Sequence, residues 1–284
     1  MSVLLHLFIS LLMFPNIAFC SNFTDIFEPK WAPDHIVSQG NHIVLTLDPQ
    51  SGCGFASKKN YLFGKTSAQI KLVEGDSAGT VTAFYMSSDG ANHDELDFEF
   101  LGNSSGEPYL VQTNIYINGT GDREQRHSLW FDPSKDFHTY SFFWNRRTIM
   151  FLVDDIPIRV FKNKERNGIP YPKSRAMGIH GSLWNADDWA TQGGRIKTNW
   201  SHAPFLAAFQ SFEVDACELS PDIDDASEKC GKQRQFWWDK PEMNKLDRMK
   251  KRAFKSVQAK YLLYDYCKDT SRFTEIPKEC QYEY

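Results

Sequence analysis

The stretch His93-Asp94-Glu95-Leu96-Asp97-Phe98-Glu99-Phe100 alternates carboxylates at 95, 97 and 99 with apolar side chains at 96, 98 and 100. Side chains of a β-strand repeat every two residues, so a strand here puts all three acids on one face and Leu96, Phe98 and Phe100 on the other. The apolar face anchors the strand in a core, and the acidic face lines an open surface. Three like charges at this spacing repel one another unless some are protonated or hydrogen-bonded. A solvated edge strand is the bland reading, and a calcium site is a second. A straight strand, however, does not readily wrap an ion that takes six to eight oxygens. Glycoside chemistry fits better, because it needs a nucleophile and an acid/base whose carboxyl groups stand about 5–5.5 Å apart in retaining enzymes. Backbone atoms of residues 95 and 99 lie roughly 13 Å apart along a strand. Their side chains, leaning together, close most of that gap, with Asp97 between them to hydrogen-bond one Glu and hold it ionised.

Outward from this segment, about residues 36–215 read as short alternating runs broken by Gly, Asn, Asp and Pro. Residues 42–47, 66–72, 139–144 and 148–153 are examples, the last closed by an Asp154-Asp155 turn. Many short strands without a helical period predict an all-β sandwich. With 41% apolar and 24% charged residues in 284, the chain has the balance of a folded globular protein and not of a disordered one. Its net charge of −4 argues against a general nucleic-acid binder.

No charged side chain precedes Asp25, and Val3 to Phe14 is nearly all apolar. That run is too short to span a bilayer, while Ala18-Phe19-Cys20 supplies small residues at a cleavage point before Ser21. Residues 1–20 therefore read as a signal peptide of a secreted protein, leaving nothing to hold the mature chain in a membrane. Sequons at Asn22, Asn103, Asn118 and Asn199 are candidate glycan acceptors in that compartment. Cys217, Cys230, Cys267 and Cys280 cluster near the C-terminus and allow three connectivities, of which the short loops 217–230 and 267–280 are preferred. Zinc is the alternative, but no pair has C-x-x-C spacing, so no metal is expected. Cys53 reads as a small buried filler.

After Cys230 the character changes. Asp239-Lys240-Pro241-Glu242 looks like a capped helix start, and Met243, Leu246, Met249, Phe254, Val257 and Tyr261 follow at intervals of three to five. Residues 231–284 carry a net +5, leaving −9 on the first 230. The basic helix is expected to dock by its apolar face on the sandwich, not on nucleic acid.

The segment from His93 to Asn103 closely resembles the signature of the plant xyloglucan endotransglucosylase/hydrolases. The resemblance continues through Tyr61-Leu62-Phe63-Gly64-Lys65, Ser77-Ala78-Gly79-Thr80-Val81-Thr82-Ala83, Gly121-Asp122-Arg123-Glu124-Gln125 and Leu129-Trp130-Phe131-Asp132-Pro133. It extends through residues 182–191 and the C-terminal cysteines. It implies a curved antiparallel jelly-roll sandwich, concanavalin-like, over residues 21–216, with a disulfide-linked extension over 217–284. It also implies Glu95 as nucleophile, Glu99 as acid/base and Asp97 as helper between them. Substrate contacts carry over to Gln112, Thr113, Asn114, Asp122, Arg123, Glu124, Trp189, Ala190, Gly194 and Arg272. The implied substrates are xyloglucan donor and acceptor chains, in the cell wall and apoplast, with no cofactor and a monomer as the default. Trp184 reads equally as a second sugar platform or a core residue. Hydrolytic members of the family carry an insertion near the Trp189 segment; none is present between Gly181 and Trp200, which favours transfer over hydrolysis. Two stretches depart from the family pattern: Asn199 in Lys197-Thr198-Asn199-Trp200, and Gly178-Ile179-His180-Gly181.

Overall fold

The computed structural model describes residues 23–39, 41–219, Cys230 and 236–282. The expected leader and the Asn22 sequon lie outside them. Fifteen strands follow in chain order among the described residues: β1 Phe27–Trp31, β2 Ile36–Gln39, β3 His42–Leu47, β4 Cys53–Ser57 and β5 Asn60–Lys71. Next come β6 Thr80–Ser87, β7 Glu95–Leu101, β8 Leu110–Tyr116, β9 Gln125–Ser128 and β10 His138–Trp144. The last are β11 Thr148–Val153, β12 Ile156–Lys162, β13 Gly178–Asn185, β14 Phe205–Leu219 and β15 Leu262–Asp265. They form two antiparallel sheets, the expected sandwich. One runs β1-β4-β13-β6-β7-β8-β9-β15 and the other β12-β11-β10-β5-β14-β3-β2.

The alternation of β7 explains its place near the centre of the first sheet. Leu96, Phe98 and Phe100 are fully buried. Phe98 sits 5.0 Å from Phe142 and 5.3 Å from Phe151, ring to ring, which ties the acid-bearing strand to β10 and β11 of the second sheet. Aromatic pairs at such offset geometries add to area burial and fix the strand's height above the core. The β11–β12 hairpin turns at Asp154 and Asp155, both with positive φ (49° and 60°), the backbone that a two-residue hairpin with right-handed twist requires.

The C-terminal extension corrects one expectation. The helix spans Arg248–Lys260 and is capped by Asp247, whose side chain accepts from the Lys250 amide. It does not begin at Asp239. Trp237–Asp239 and Pro241–Asn244 instead form two 3-10 turns separated by an extended Lys240. Tertiary bonds override the local cap signal: Asn145 Nδ2 donates to the Trp238 carbonyl at 2.7 Å and to Asn244 Oδ1 at 3.2 Å. Met249 consequently points to solvent (74% exposed), whereas Phe254 and Val257 are buried. Gln258 Nε2 donates to the Ile158 carbonyl at 2.7 Å and docks the helix on β12. The extension then adds β15 to the edge of the first sheet beside β9. Disulfides join Cys217 to Cys230 and Cys267 to Cys280, the expected pairing. Cys53 is free and buried, its thiol near the His35 and Thr46 carbonyls.

Candidate active site

Register fixes what surrounds the acids. On one side Glu95, Asp97 and Glu99 stand opposite Ser87, Tyr85 and Ala83 of β6. On the other they stand opposite Tyr116, Asn114 and Gln112 of β8. The three acids share a cleft of about 430 Å³ with Trp31, Tyr85, Tyr116 and Trp184. A groove larger by volume, about 640 Å³, crosses the outer face of the second sheet around Lys71, Phe137 and Leu206. Its acids, Glu74 and Asp76, are engaged by Lys135 and His202. The smaller cleft is the one that gathers three carboxyls around a buried Asp97, and it is the candidate site.

The electrostatics distinguish the acids. Asp97 is buried, and burial raises its carboxyl well above the ordinary range; the charges of Glu95 and Glu99 and a hydrogen bond to Glu95 add to this, and Arg159 partly offsets it. Asp97 is thereby favoured in its protonated form, hydrogen-bonded to Glu95. Glu99 is raised to about 7, first by burial. The Gln112 amide, donating at 2.6 Å, and Arg126 pull it down, while Glu124 and Glu95 push it up. The sequence points to repulsion between neighbours as the cause; in the structure burial acts first and the neighbours modify it. The raised Glu99 value has two signs that can be checked. Protonated Glu99 is the form that can act as an acid, so the rate with donor under kcat/KM conditions is expected to fall as pH rises through about 7. The folded chain also binds this proton more tightly than the unfolded chain, whose value is 4.5. Stability is therefore expected to decline between pH 4.5 and about 7, and Glu99→Gln should flatten that decline in a melting-temperature series.

The remaining expected contacts divide. Gln112 lies beside Glu99. Asp122, Glu124 and Arg272 meet beyond it: Arg272 donates to Glu124 at 2.6 Å and to Asp122 at 2.5 Å. Asn114 Oδ1 accepts from the amides of Ile115 and Arg123, which shapes the turn toward that cluster. Thr113 faces the interior, its hydroxyl accepting from Arg159 at 3.0 Å. Arg123 is equally turned from the cleft: its guanidinium pairs with Glu279 at 2.7 Å and donates to three backbone carbonyls. These two side chains hold the sheet and the extension together and do not reach the acids. Trp189 is half-buried, 6.1 Å from the Trp184 ring, over a small cluster that includes buried Ala190. Gly194 has φ +81°, and a Cβ there would meet the Asp188 carbonyl at 2.2 Å, so only glycine fits that loop.

His180, in the departing stretch, lies on β13 and stacks on Tyr85 at 4.7 Å, across the acids from the Arg272 cluster. Asn103 donates to the Pro108 carbonyl, Asn118 is exposed beside Arg175, and Asn199 caps the turn at Trp200–His202. Among the described residues no cluster of His, Cys, Asp and Glu has the geometry to hold a metal.

Residue-by-residue reading of motifs leaves out Tyr85, Tyr116, Arg126 and Arg159. A period-two reading of β8 and β9 would have found two of them: Tyr116 shares a face with Gln112 and Asn114, and Arg126 lies opposite Gln112. Arg159 reaches the site from β12 beneath the sheet, and no local signal announces it.

A sandwich with paired carboxyls on the open face of one sheet has the arrangement of a glycoside-processing class of protein. The profile of glycosyl hydrolases family 16 matches residues 23–202, and that of the xyloglucan endo-transglycosylase (XET) C-terminus matches 232–280. Xyloglucan endotransglucosylase protein 6 of Diospyros kaki is 58% identical over 266 residues, covering 92% of this chain and 89% of that one. Xyloglucan endotransglucosylase/hydrolase protein 9 of Arabidopsis thaliana is 57% identical over 262 residues, covering 92% and 90%. A native glycosidic hydrolase crystal structure superposes with a TM-score of 0.55 at 26% identity over 66% of this chain and 89% of that one. A Bacillus licheniformis β-glucanase gives 0.55 at 22% identity over 66% and 91%, a likeness of fold alone. The chain belongs to the xyloglucan endotransglucosylase/hydrolase family, within glycosyl hydrolases family 16.

Proposed function

We propose that the protein cleaves the β-1,4-glucan backbone of xyloglucan and transfers the fragment to a second xyloglucan chain, by a retaining mechanism. The observation that carries this reading is the arrangement on β7: Glu95, Asp97 and Glu99 line one cleft from one strand face, with burial holding the Asp97 carboxyl well above its ordinary range and Glu99 at about 7. Glu95 attacks the anomeric carbon while Glu99 protonates the departing glycosidic oxygen, and a glycosyl ester forms on Glu95. Glu99, now ionised, takes the proton from an incoming hydroxyl, which attacks the anomeric carbon and frees Glu95. Two inversions give net retention.

The names of the relatives support xyloglucan as the substrate, and the acids alone support a glycoside. Trp184 and Trp189 offer apolar faces to sugar rings, and the Asp122–Glu124–Arg272 cluster offers polar groups to hydroxyls at the other side of the acids. The short 181–200 loop supports transfer over hydrolysis. Residues 1–20 as a leader, and action in the cell wall and apoplast, complete the reading; among the described residues no helix is long and apolar enough to cross a membrane. Purified protein is incubated with xyloglucan and a fluorescent xyloglucan oligosaccharide. Label is expected to enter polymer without matching new reducing ends. Reducing ends without incorporation would make the enzyme a hydrolase, and binding without either would make it a wall-binding protein.

A further inference from the structure

Glu99 does not meet solvent alone. Gln112 Nε2 donates to Glu99 Oε2 at 2.6 Å, and Arg126 Nε donates to Gln112 Oε1 at 2.7 Å. A guanidinium has donors and no acceptor, so the amide oxygen must face Arg126 and the NH₂ must face Glu99. Arg126 therefore dictates which end of the amide Glu99 sees. Arg126 is itself held: its guanidinium lies over the Tyr264 ring at 5.3 Å, and Tyr264 is its register partner on β15. The Tyr264 hydroxyl donates to Asp269 at 2.9 Å, and Arg272 approaches that hydroxyl at 3.4 Å.

We propose that Arg126 is a positioning residue for Glu99, acting through the Gln112 amide and kept in place by Tyr264 of the C-terminal extension. This rests on the reading of Glu99 as acid/base. The two steps of that reaction demand opposite forms of Glu99, protonated first and ionised second. An amide N–H aimed at Glu99 favours the ionised form; an amide oxygen aimed at it favours the protonated form. By locking the donor end toward Glu99, Arg126 keeps the carboxyl able to give up its proton at near-neutral pH. The extension thus reaches the chemistry through Tyr264, Arg126 and Gln112 without touching the reacting atoms.

The other groups facing Glu99 set the background. Glu95 and Asp97 lie on its own strand, Ala83 on β6 is uncharged, and Tyr116 on β8 is a phenol held well protonated by burial. Glu124, ahead of β9, pushes Glu99 the other way, and its charge is shared with Arg272.

The test follows two readouts in the full-length protein. One is the alkaline limb of kcat/KM for donor xyloglucan; the other is the carboxyl titration of Glu99 by carbon-13 NMR, which needs no turnover. Arg126→Met is expected to move both upward by about one pH unit, by releasing the amide and removing the cation. Arg126→Lys, which keeps a cationic donor, should lie nearer the native values, and Tyr264→Leu should shift them in the same direction as Arg126→Met but less. In a Gln112→Met background, Arg126→Met should move the limb by less than half as much. Should Arg126→Met fail to fold, Tyr264→Leu and Arg126→Lys decide the matter by the same readouts. A raised KM with limb and titration unmoved would overturn the proposal and leave Arg126 as a sugar contact only. If the native protein proves inactive, the Glu99 titration still moves or stays, so the relay and the enzymatic reading fail separately.

Discussion

Replacing Glu95 with Gln is expected to abolish turnover of xyloglucan and leave polymer binding in place. The amide keeps the size of the carboxylate and still accepts the proton that Asp97 donates, so the cleft retains its shape. What it loses is the nucleophile. Without an ester on residue 95 there is no first displacement, and kcat/KM is expected to fall on the order of 10⁵-fold, about 7 kcal/mol of transition-state stabilisation. Glu95→Ala separates this cause from a folding defect. The truncated side chain leaves room for a small anion, and added azide should restore cleavage of an activated donor while giving the glycosyl azide of inverted configuration. Restored activity with retained configuration would mean that the attack comes from another residue.

Glu99→Ala is expected to have the second largest effect, with a signature that depends on the substrate. Natural xyloglucan leaves as an alkoxide unless protonated, so removal of the acid should cost about 10³–10⁴-fold with polymer. A donor with a good phenolic leaving group needs no proton, and its first step should remain within about tenfold of native. The second step, without a base to take the acceptor's proton, becomes slow for every donor, and the glycosyl ester on Glu95 accumulates. Equal losses with polymer and activated donor would remove Glu99 from the acid role and leave it as a structural carboxyl.

The fold was largely legible because its signal is local. The period-two alternation of β7, the runs of β3, β10 and β11, and the Asp154-Asp155 turn each specify a strand or its end within a few residues. The helix start is ambiguous in the sequence because Asp239-Lys240-Pro241-Glu242 and Asp247 both carry cap chemistry, and the choice between them is made by Asn145, nearly a hundred residues away. The acidic face was legible for the same reason as the strand. Its support was not. Arg159 under Asp97 and Tyr264 under Arg126 arrive from distant strands, and only the folded sheet shows them. Thr113 illustrates the limit of transferring a motif whole: a strand triplet Gln112-Thr113-Asn114 necessarily sends its middle side chain to the opposite face, where Thr113 meets Arg159.

The central claim is that Glu95 carries the sugar between two chains. The most direct test uses Glu99→Ala with an activated aryl xyloglucan-oligosaccharide donor, quenched in acid and digested, followed by peptide mass spectrometry. The account predicts a mass increase equal to the donor's oligosaccharyl group on the peptide around β7, with fragmentation placing it on Glu95. It also predicts that the adduct disappears when azide, a nucleophile that needs no base, is added before quenching, and persists with acceptor oligosaccharide alone. An adduct on Asp97, or a donor consumed with no adduct on any carboxyl, would contradict it.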